Sequence, residues 1–121
     1  MQPPTLDALR GAWRCTAILG APVTGDGAPT IDFREGGRAG GFAGVNRYGC
    51  DATSAAPGTL HLGAIAATRM AGPPERMELE GSFLAALQRV TGARMSGQTL
   101  ELTSESGTVL RFERATAPAR Q

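Results

Sequence analysis

Residues 30–48 read TIDFREGGRAGGFAGVNRY, and this stretch decides the fold. Ile31 and Phe33 alternate with polar residues, as in a strand with one buried face. The turn signal at 35–37 leads into a second strand, 38–44, whose three glycines mark a bulge or a close backbone approach. The stretch therefore predicts an antiparallel pair of strands that ends at a tight corner beginning with Asn46.

Short segments of strand character flank this pair on both sides. A first strand is predicted over 11–19, and a polar corner over 46–51. Further strands are predicted at 59–62, 93–96, 99–103 and 108–113, where apolar residues alternate between turn signals, and an extended or mixed segment is predicted at 65–70. The inward face of the first strand is predicted to carry Trp13, Cys15, Ala17 and Leu19. The lead-in over 1–10 and the tail from Ala115 are expected to be frayed.

One α-helix is predicted over about residues 75–90. Pro73 and Pro74 suit its first turn, and Glu75 suits the positive end of the helix dipole. Apolar residues recur near helical spacing at Met77, Leu79, Phe83, Leu84, Leu87 and Val90. The helix face that carries Met77, Phe83, Leu84 and Leu87 is expected to be buried in the core. The predicted fold is mainly β: a small antiparallel, partly open barrel-like sheet, with the helix packed on or across it. An open α+β sheet with the helix across one face is the alternative.

Length and charge exclude several classes of protein. The 121 residues suit a single domain, 1–121, with a core over about 9–114. The net charge of +1 gives no basic surface for nucleic acid, and no apolar run reaches the length of a transmembrane segment. We expect a monomer. We see no leader peptide, so the protein is expected in the cytoplasm, or in the periplasm or at the outer membrane if a leader was removed.

No catalytic, cofactor-binding or metal-binding group can be assembled from residue spacing. His61 is the only histidine, and no triad or carboxylate pair accompanies it. Cys15 and Cys50 have no metal-ligand spacing and no CxxC pattern. Two buried thiols and one Cys15–Cys50 disulfide both remain open.

For two arginines, Arg69 and Arg47, the sequence leaves open two roles: one in holding the fold together and one in binding a ligand. Arg69 lies between apolar neighbours, which predicts partial burial and a carboxylate partner, with Glu80 the first choice. Arg47 and Tyr48 form either part of a tight corner or a pair of donors presented to a ligand.

The ordered set of motifs resembles the META domain family, which includes the heat-shock protein HslJ. The likeness covers about Leu9 to Glu113. Its pieces are L-x-G-x-W from Leu9, IDF from Ile31, GGFAGVNRY from Gly40, TRMAGP from Thr68, E-x-x-FL-x-x-L from Glu80, and L-x-L from Leu100. The structural motif residues carried over are Trp13, Gly41, Gly44, Asn46, Arg47, Arg69, Glu80 and Phe83. Family members commonly have cysteines where this chain has Val45 and Gly72, which implies that a paired bridge has been lost.

The resemblance also implies a function. Family members are bacterial, are often secreted or anchored in the envelope as lipoproteins, and are tied to heat shock, novobiocin resistance, and motility or virulence. We therefore expect a non-enzymatic, stress-related envelope domain that binds a protein or a small molecule. The alternatives are a small hydrolase-like enzyme using His61 or a cysteine, and an inhibitor-like domain that docks a loop into another protein.

Overall fold

The residues that the structure describes form a ten-stranded antiparallel sheet and a single α-helix. The computed structural model describes residues 3–23 and 27–115. The strands are β1 (Gly11–Ile18), β2 (Ala21–Pro22), β3 (Thr30–Arg34), β4 (Arg38–Phe42), β5 (Arg47–Thr53), β6 (His61–Leu62), β7 (Ala66–Ala67), β8 (Gly92–Ser96), β9 (Thr99–Ser104) and β10 (Gly107–Arg114). The helix α1 spans Pro74–Leu87, between β7 and β8.

The strand order shows a barrel that is only partly closed. The sheet runs β6-β5-β4-β3-β1-β10-β9-β8, while β2 pairs with β1 and β7 with β5. The two ends of this order meet at one place: Thr59 bridges Gly92, and the Leu60 N–H donates to the Thr91 carbonyl at 3.1 Å. No continuous ladder joins these ends among the described residues, which confirms the predicted mainly β, partly open barrel with one helix.

The helix buries one face against β1 and β10. Phe83 and Leu87 are fully buried, and the Phe83 ring makes edge contacts with Tyr48 and Phe112 at centroid distances of 5.7 and 6.2 Å. Leu84, which was expected in the core, is only half-buried. The helix also ends at Leu87, earlier than predicted, although the apolar pattern continues to Val90 beyond it.

A β-bulge in β1 makes part of the predicted inward face wrong. Trp13 and Cys15 point into the core as expected, but the register of β1 against β10 shifts between Cys15 and Ala17. An extra residue in one strand reverses the alternation beyond it. Ile18 is therefore the buried residue, and Leu19 is 57% exposed.

The segment predicted as a polar corner is mostly strand β5. Tyr48, Cys50 and Ala52 are buried, and Asp51 between them is exposed. This period-two pattern is present in the sequence, but Asn46, Arg47 and the glycines around it favour a turn. Of the predicted corner, only Asn46 lies outside the strand.

The N-terminal lead-in is more ordered than expected. Asp7–Leu9 forms a 3₁₀ turn, and the Leu9 carbonyl accepts a hydrogen bond from the buried Trp13 indole N–H at 2.8 Å. The Arg114 guanidinium lies over the Trp13 ring at 4.0 Å. Trp13 is thus a core residue that contacts both the N-terminal 3₁₀ turn and the last residue of β10. The predicted tail lies outside the described residues from 116 onward.

Glu101 is a buried carboxylate that the sequence did not predict as a partner for any residue. It faces Arg94 on β8 and Arg111 on β10, with N–O distances of 3.1 and 2.9 Å. Burial raises the pKa of the Glu101 carboxyl, but hydrogen bonds from Arg111 and Thr108 and the two positive charges outweigh burial and lower it. These contacts join three strands on the outer face of the sheet.

Candidate binding site

Asn46 organises the corner that follows β4. Its side-chain Nδ2 donates to the Met70 carbonyl at 3.0 Å and to Glu80 Oε2 at 2.8 Å. Its Oδ1 accepts from the Thr68 hydroxyl at 2.8 Å and from the Met70 N–H at 2.7 Å. An asparagine side chain has two donor and two acceptor positions, so every one is used here. Asn46 therefore connects the corner, the 68–70 segment and the helix.

Glu80 fixes the helix to the same corner. Its Oε1 accepts the backbone N–H groups of Val45 and Asn46 at 2.9 and 2.5 Å. Only 7% of Glu80 is exposed. Burial raises the pKa of the carboxyl, but the hydrogen bonds from Asn46 and Val45 outweigh burial, and the pKa lies below its usual value. The ionised carboxylate is thus part of the folded structure.

Gly44 allows the corner to approach the helix backbone. Its φ is +137°, and a Cβ built there would lie 3.2 Å from Glu80 N and from the Arg76 carbonyl oxygen. Arg76 donates to the Gly44 carbonyl through Nε at 3.1 Å and Nη2 at 2.9 Å. At Gly41, a Cβ would lie 2.6 Å from the Thr30 carbonyl oxygen on β3. Both motif glycines therefore serve close packing of backbone.

The predicted Arg69–Glu80 ion pair is wrong. Arg69 is exposed, and no described carboxylate lies within salt-bridge distance of it. Asn46 and two backbone N–H groups hold Glu80 instead. Arg69 lies between Thr68 and Met70, which both bind Asn46, while its own side chain is exposed.

Arg47 and Tyr48 do not form the donor pair that was the alternative to a tight corner. The two side chains lie on opposite faces of β5, with Arg47 exposed and Tyr48 buried. The Tyr48 hydroxyl donates to the Thr30 carbonyl at 2.6 Å, so it is already engaged inside the protein. The Arg47 backbone N–H and carbonyl both bind Thr68, which pairs the corner with the 68–70 segment.

An open groove of about 500 Å³ runs between the 65–71 segment and the helix. We call it the methionine groove, because Met70 and Met77 are 61% and 37% exposed along it. Ile65 and Leu84 are half-buried in its apolar wall, and Arg69 and Glu80 are its charged lining residues. Sequence analysis placed Met77 in the core. The structure places it at the surface instead, although Glu80, three residues later on the same helix, is buried.

His61 and the two cysteines stay apart from the methionine groove. His61 is exposed, and the described residues that line the hollow beside it include no cysteine or carboxylate. Cys15 and Cys50 are buried free thiols, so the Cys15–Cys50 disulfide is not formed. Burial raises the pKa of Cys15 to about 12 and also raises that of Cys50.

The described residues contain no cluster of three or more metal-ligating side chains, and no described helix is long and apolar enough to cross a bilayer.

Comparison with sequence models of known families matches the META domain over residues 5–117. The chain belongs to the META domain family. The Asn46–Glu80 contacts join the central motifs of this META domain, which lie in separate parts of the chain. GGFAGVNRY supplies the corner, TRMAGP the segment bound by Asn46, and the helix supplies Glu80.

Solved structures share the fold of this META domain. An NMR structure of a protein from Burkholderia xenovorans has a TM-score of 0.73 and 25% identity, covering 93% of this chain and 87% of that one. A second NMR structure has a TM-score of 0.70 and 25% identity, with 90% and 93% coverage. A DUF4847 family protein from Bacteroides vulgatus has a TM-score of 0.65 and 14% identity, with 90% and 95% coverage, and shows likeness of fold alone. The comparison with curated proteins gives no match.

Val45 and Gly72 are neighbours in this META domain. A Cβ built at Gly72 lies 3.5 Å from the Val45 Cβ, within the range of roughly 3.5–4.5 Å found in disulfides. Gly72 does not have a positive φ, so its backbone accepts a side chain. The positions where relatives commonly carry cysteines are thus in contact here without a bridge.

We predict that the double variant Val45→Cys/Gly72→Cys forms a disulfide under oxidising conditions. The bridge closes a loop of about 27 residues and is expected to raise the free energy of unfolding by about 3–4 kcal/mol in the chain-entropy model. Thiol titration in denaturant should then find only Cys15 and Cys50 free, and urea unfolding with and without reductant measures the gain. Each single cysteine variant is the control. Four titratable thiols in the oxidised double variant would contradict the prediction.

Proposed function

We propose that this META domain is a non-catalytic binding module of the bacterial cell envelope. We further propose that the methionine groove binds a small apolar molecule that carries a negative charge. The observation that supports this proposal is the exposure of Met70 and Met77 on opposite sides of the groove. Methionine is flexible and polarisable, and it is common at surfaces that accept apolar ligands of varied shape.

The frame of the methionine groove is held before any ligand arrives. Asn46 binds both the N–H and the carbonyl of Met70, and Glu80 anchors the opposite wall. A preformed site loses less conformational entropy on binding than one that must be ordered. Its volume of about 500 Å³ lies within the usual range of roughly 300–1,000 Å³ for small-molecule sites.

The charged residues that line the methionine groove support the proposal of an anionic ligand. Arg69 lines the groove with an exposed side chain and has no described carboxylate partner. The other charged lining residue, Glu80, is buried, and its carboxylate accepts three hydrogen bonds. A guanidinium presents several fixed donors that suit a carboxylate or sulfonate. Arg69 is therefore the residue proposed to bind the negatively charged group of the ligand.

The chemistry of the other candidate residues supports a non-catalytic role. A thiol acts as a nucleophile in its ionised form, and burial raises the pKa of both Cys15 and Cys50. The described lining of the hollow beside His61 offers the imidazole neither an acid nor a cysteine. These observations disfavour the hydrolase-like alternative.

Placement in the envelope and a role in stress rest on the family resemblance. Fractionation of heat-shocked host cells, followed by immunoblotting, tests both. Recovery in the periplasmic or outer-membrane fraction, with increased abundance after heat shock, is the expected result. Recovery in the cytoplasmic fraction would contradict the placement, and unchanged abundance would contradict the role in stress.

The ligand class is tested with anilinonaphthalene sulfonate, a fluorescent dye with an apolar body and one negative charge. We expect saturable binding to the folded domain, displacement by dodecanoate, and no displacement by the cationic dodecyltrimethylammonium. Arg69→Gln should weaken dye binding about tenfold, which corresponds to roughly 1.4 kcal/mol. Met70→Ser should weaken it through the loss of apolar contact.

The matched control is Arg34→Gln, which removes an exposed arginine of β3 that does not line the methionine groove and should leave dye binding unchanged. Thermal unfolding of every variant shows that the fold is intact, so that dye bound to unfolded protein is not counted. Equal weakening by Arg69→Gln and Arg34→Gln, or equal displacement by both surfactants, would contradict the proposed site.

A further inference from the structure

A second surface of the domain lies on the β1–β2 side of the helix, and it has no part in the function proposed above. Leu19 and Gly20 are the two turn residues between β1 and β2, where Ile18 pairs with Ala21. Their φ values are +50° and +83°, the pattern of a type I′ hairpin turn. Such turns strongly prefer asparagine, aspartate or glycine at the first position, because other residues are strained at positive φ.

Leucine at this position has a local conformational cost, and its side chain gains little from burial. Leu19 is 57% exposed and is the only described residue other than glycine with a positive φ. Strained backbone of this kind clusters at functional sites. Leu19 is therefore a candidate anchor for a partner.

The surface around Leu19 indicates the chemistry of that partner. Leu19 borders an open groove of about 480 Å³, whose apolar wall includes Pro22, Val23 and Leu79. The charged residues among its described lining are two exposed helix glutamates, Glu75 and Glu78. We call this the leucine groove. An apolar surface with an acidic edge is complementary to a polypeptide that carries an apolar side chain beside lysine or arginine.

We propose that the leucine groove is a docking site for a basic, amphipathic polypeptide segment, with Leu19 as the apolar anchor and Glu75 and Glu78 as the charge contacts. An anionic membrane surface is the less favoured occupant, because the two carboxylates would repel it. The methionine groove lies on the opposite flank of the helix and has the opposite charge preference, so the two sites are tested independently.

Binding is measured by fluorescence anisotropy with a labelled peptide of alternating leucine and lysine, and with its leucine–glutamate counterpart. We expect the basic peptide to bind at least tenfold more tightly than the acidic one, and binding to weaken as salt is raised. Leu19→Asn and the pair Glu75→Gln/Glu78→Gln should each weaken it about tenfold. The pair Glu105→Gln/Glu113→Gln, two exposed glutamates in the β9–β10 turn and on β10, removes the same amount of charge and should have no effect.

A stability measurement separates docking from packing. Because asparagine suits the turn better than leucine, Leu19→Asn should leave Tm unchanged or raise it by about 2–4 °C while weakening peptide binding. A lower Tm would show that Leu19 packs for stability and would overturn the proposal. It would also be overturned by equal affinity for the two peptides, by no effect of Leu19→Asn, or by no binding of the basic peptide. A Leu19-dependent dimer in sedimentation, or binding to anionic vesicles instead of the peptide, would assign the surface to another occupant and overturn it as well.

Discussion

Replacing Phe83 with alanine is expected to lower the free energy of unfolding by about 3–5 kcal/mol. The Phe83 side chain is fully buried between the helix and the sheet, and its ring contacts those of Tyr48 and Phe112. Truncation removes the transfer free energy of the ring and both edge contacts, and it leaves a cavity that a closely packed barrel fills only in part. Urea unfolding followed by circular dichroism measures the loss.

Leu84→Ala is the matched control for Phe83→Ala. Leu84 is the next residue on the same helix but is half-buried at the methionine groove, so its truncation should cost roughly 1–2 kcal/mol. A loss below about 1 kcal/mol for Phe83→Ala, or equal losses for the two variants, would show that the helix does not pack on the sheet through Phe83.

The second large effect is expected for Glu80→Ala, which should lower the free energy of unfolding by about 3–5 kcal/mol. The change leaves the Val45 and Asn46 backbone N–H groups and one Asn46 side-chain donor without their acceptor. Glu78→Ala removes an exposed glutamate from the same helix and should change stability by less than about 0.5 kcal/mol. Urea unfolding compares the two variants.

Glu80→Gln separates the charge from the shape of the side chain. An amide oxygen can still accept from the two backbone N–H groups, but the amide NH₂ then faces the Asn46 Nδ2 donor. Asn46 cannot reverse its amide, because its Oδ1 already accepts from Thr68 and Met70. We expect Glu80→Gln to be destabilised, though less than Glu80→Ala. Full stability in Glu80→Gln would show that the carboxylate is not required.

Acid should destabilise the domain partly through Glu80. Its pKa is lower in the folded protein than in the unfolded chain, so the unfolded state binds more protons as pH falls. The stabilisation is therefore complete above the unfolded pKa, roughly 4.3, and is lost as pH falls through the folded value. Stability measured from neutral pH to about pH 3 should fall less steeply in Glu80→Gln than in the wild type. Glu101 also has a lowered pKa, but it is present in both proteins and its contribution cancels in the difference.

Local sequence patterns were sufficient to predict much of the fold. The alternation of Ile31 and Phe33, the turn signals between the C-terminal strands and the helical spacing of Phe83 and Leu87 each predicted an element that the structure contains. These signals are local because side-chain periods of two and 3.6 are set by backbone geometry alone. The ordered motifs were likewise sufficient for the family, which the match over residues 5–117 confirms.

The partners of the motif residues depended on tertiary structure. Arg69 and Glu80 have opposite charges and lie in neighbouring motifs, so the sequence favoured an ion pair between them. In the fold, Asn46 and two backbone N–H groups reach the carboxylate instead, because several short hydrogen bonds to a buried charge satisfy it better than one exposed guanidinium. Such a choice depends on which segments the barrel brings together.

The exposed apolar residues were also decided by the tertiary structure. A single bulge in β1 moved Leu19 from the predicted inward face to an exposed turn. Sequence by itself determined which residues are apolar, most of the elements they form and which family the chain belongs to. Whether Leu19, Met70 and Met77 would be core or surface was decided by register and packing, because burial depends on contacts between segments that are distant in the chain.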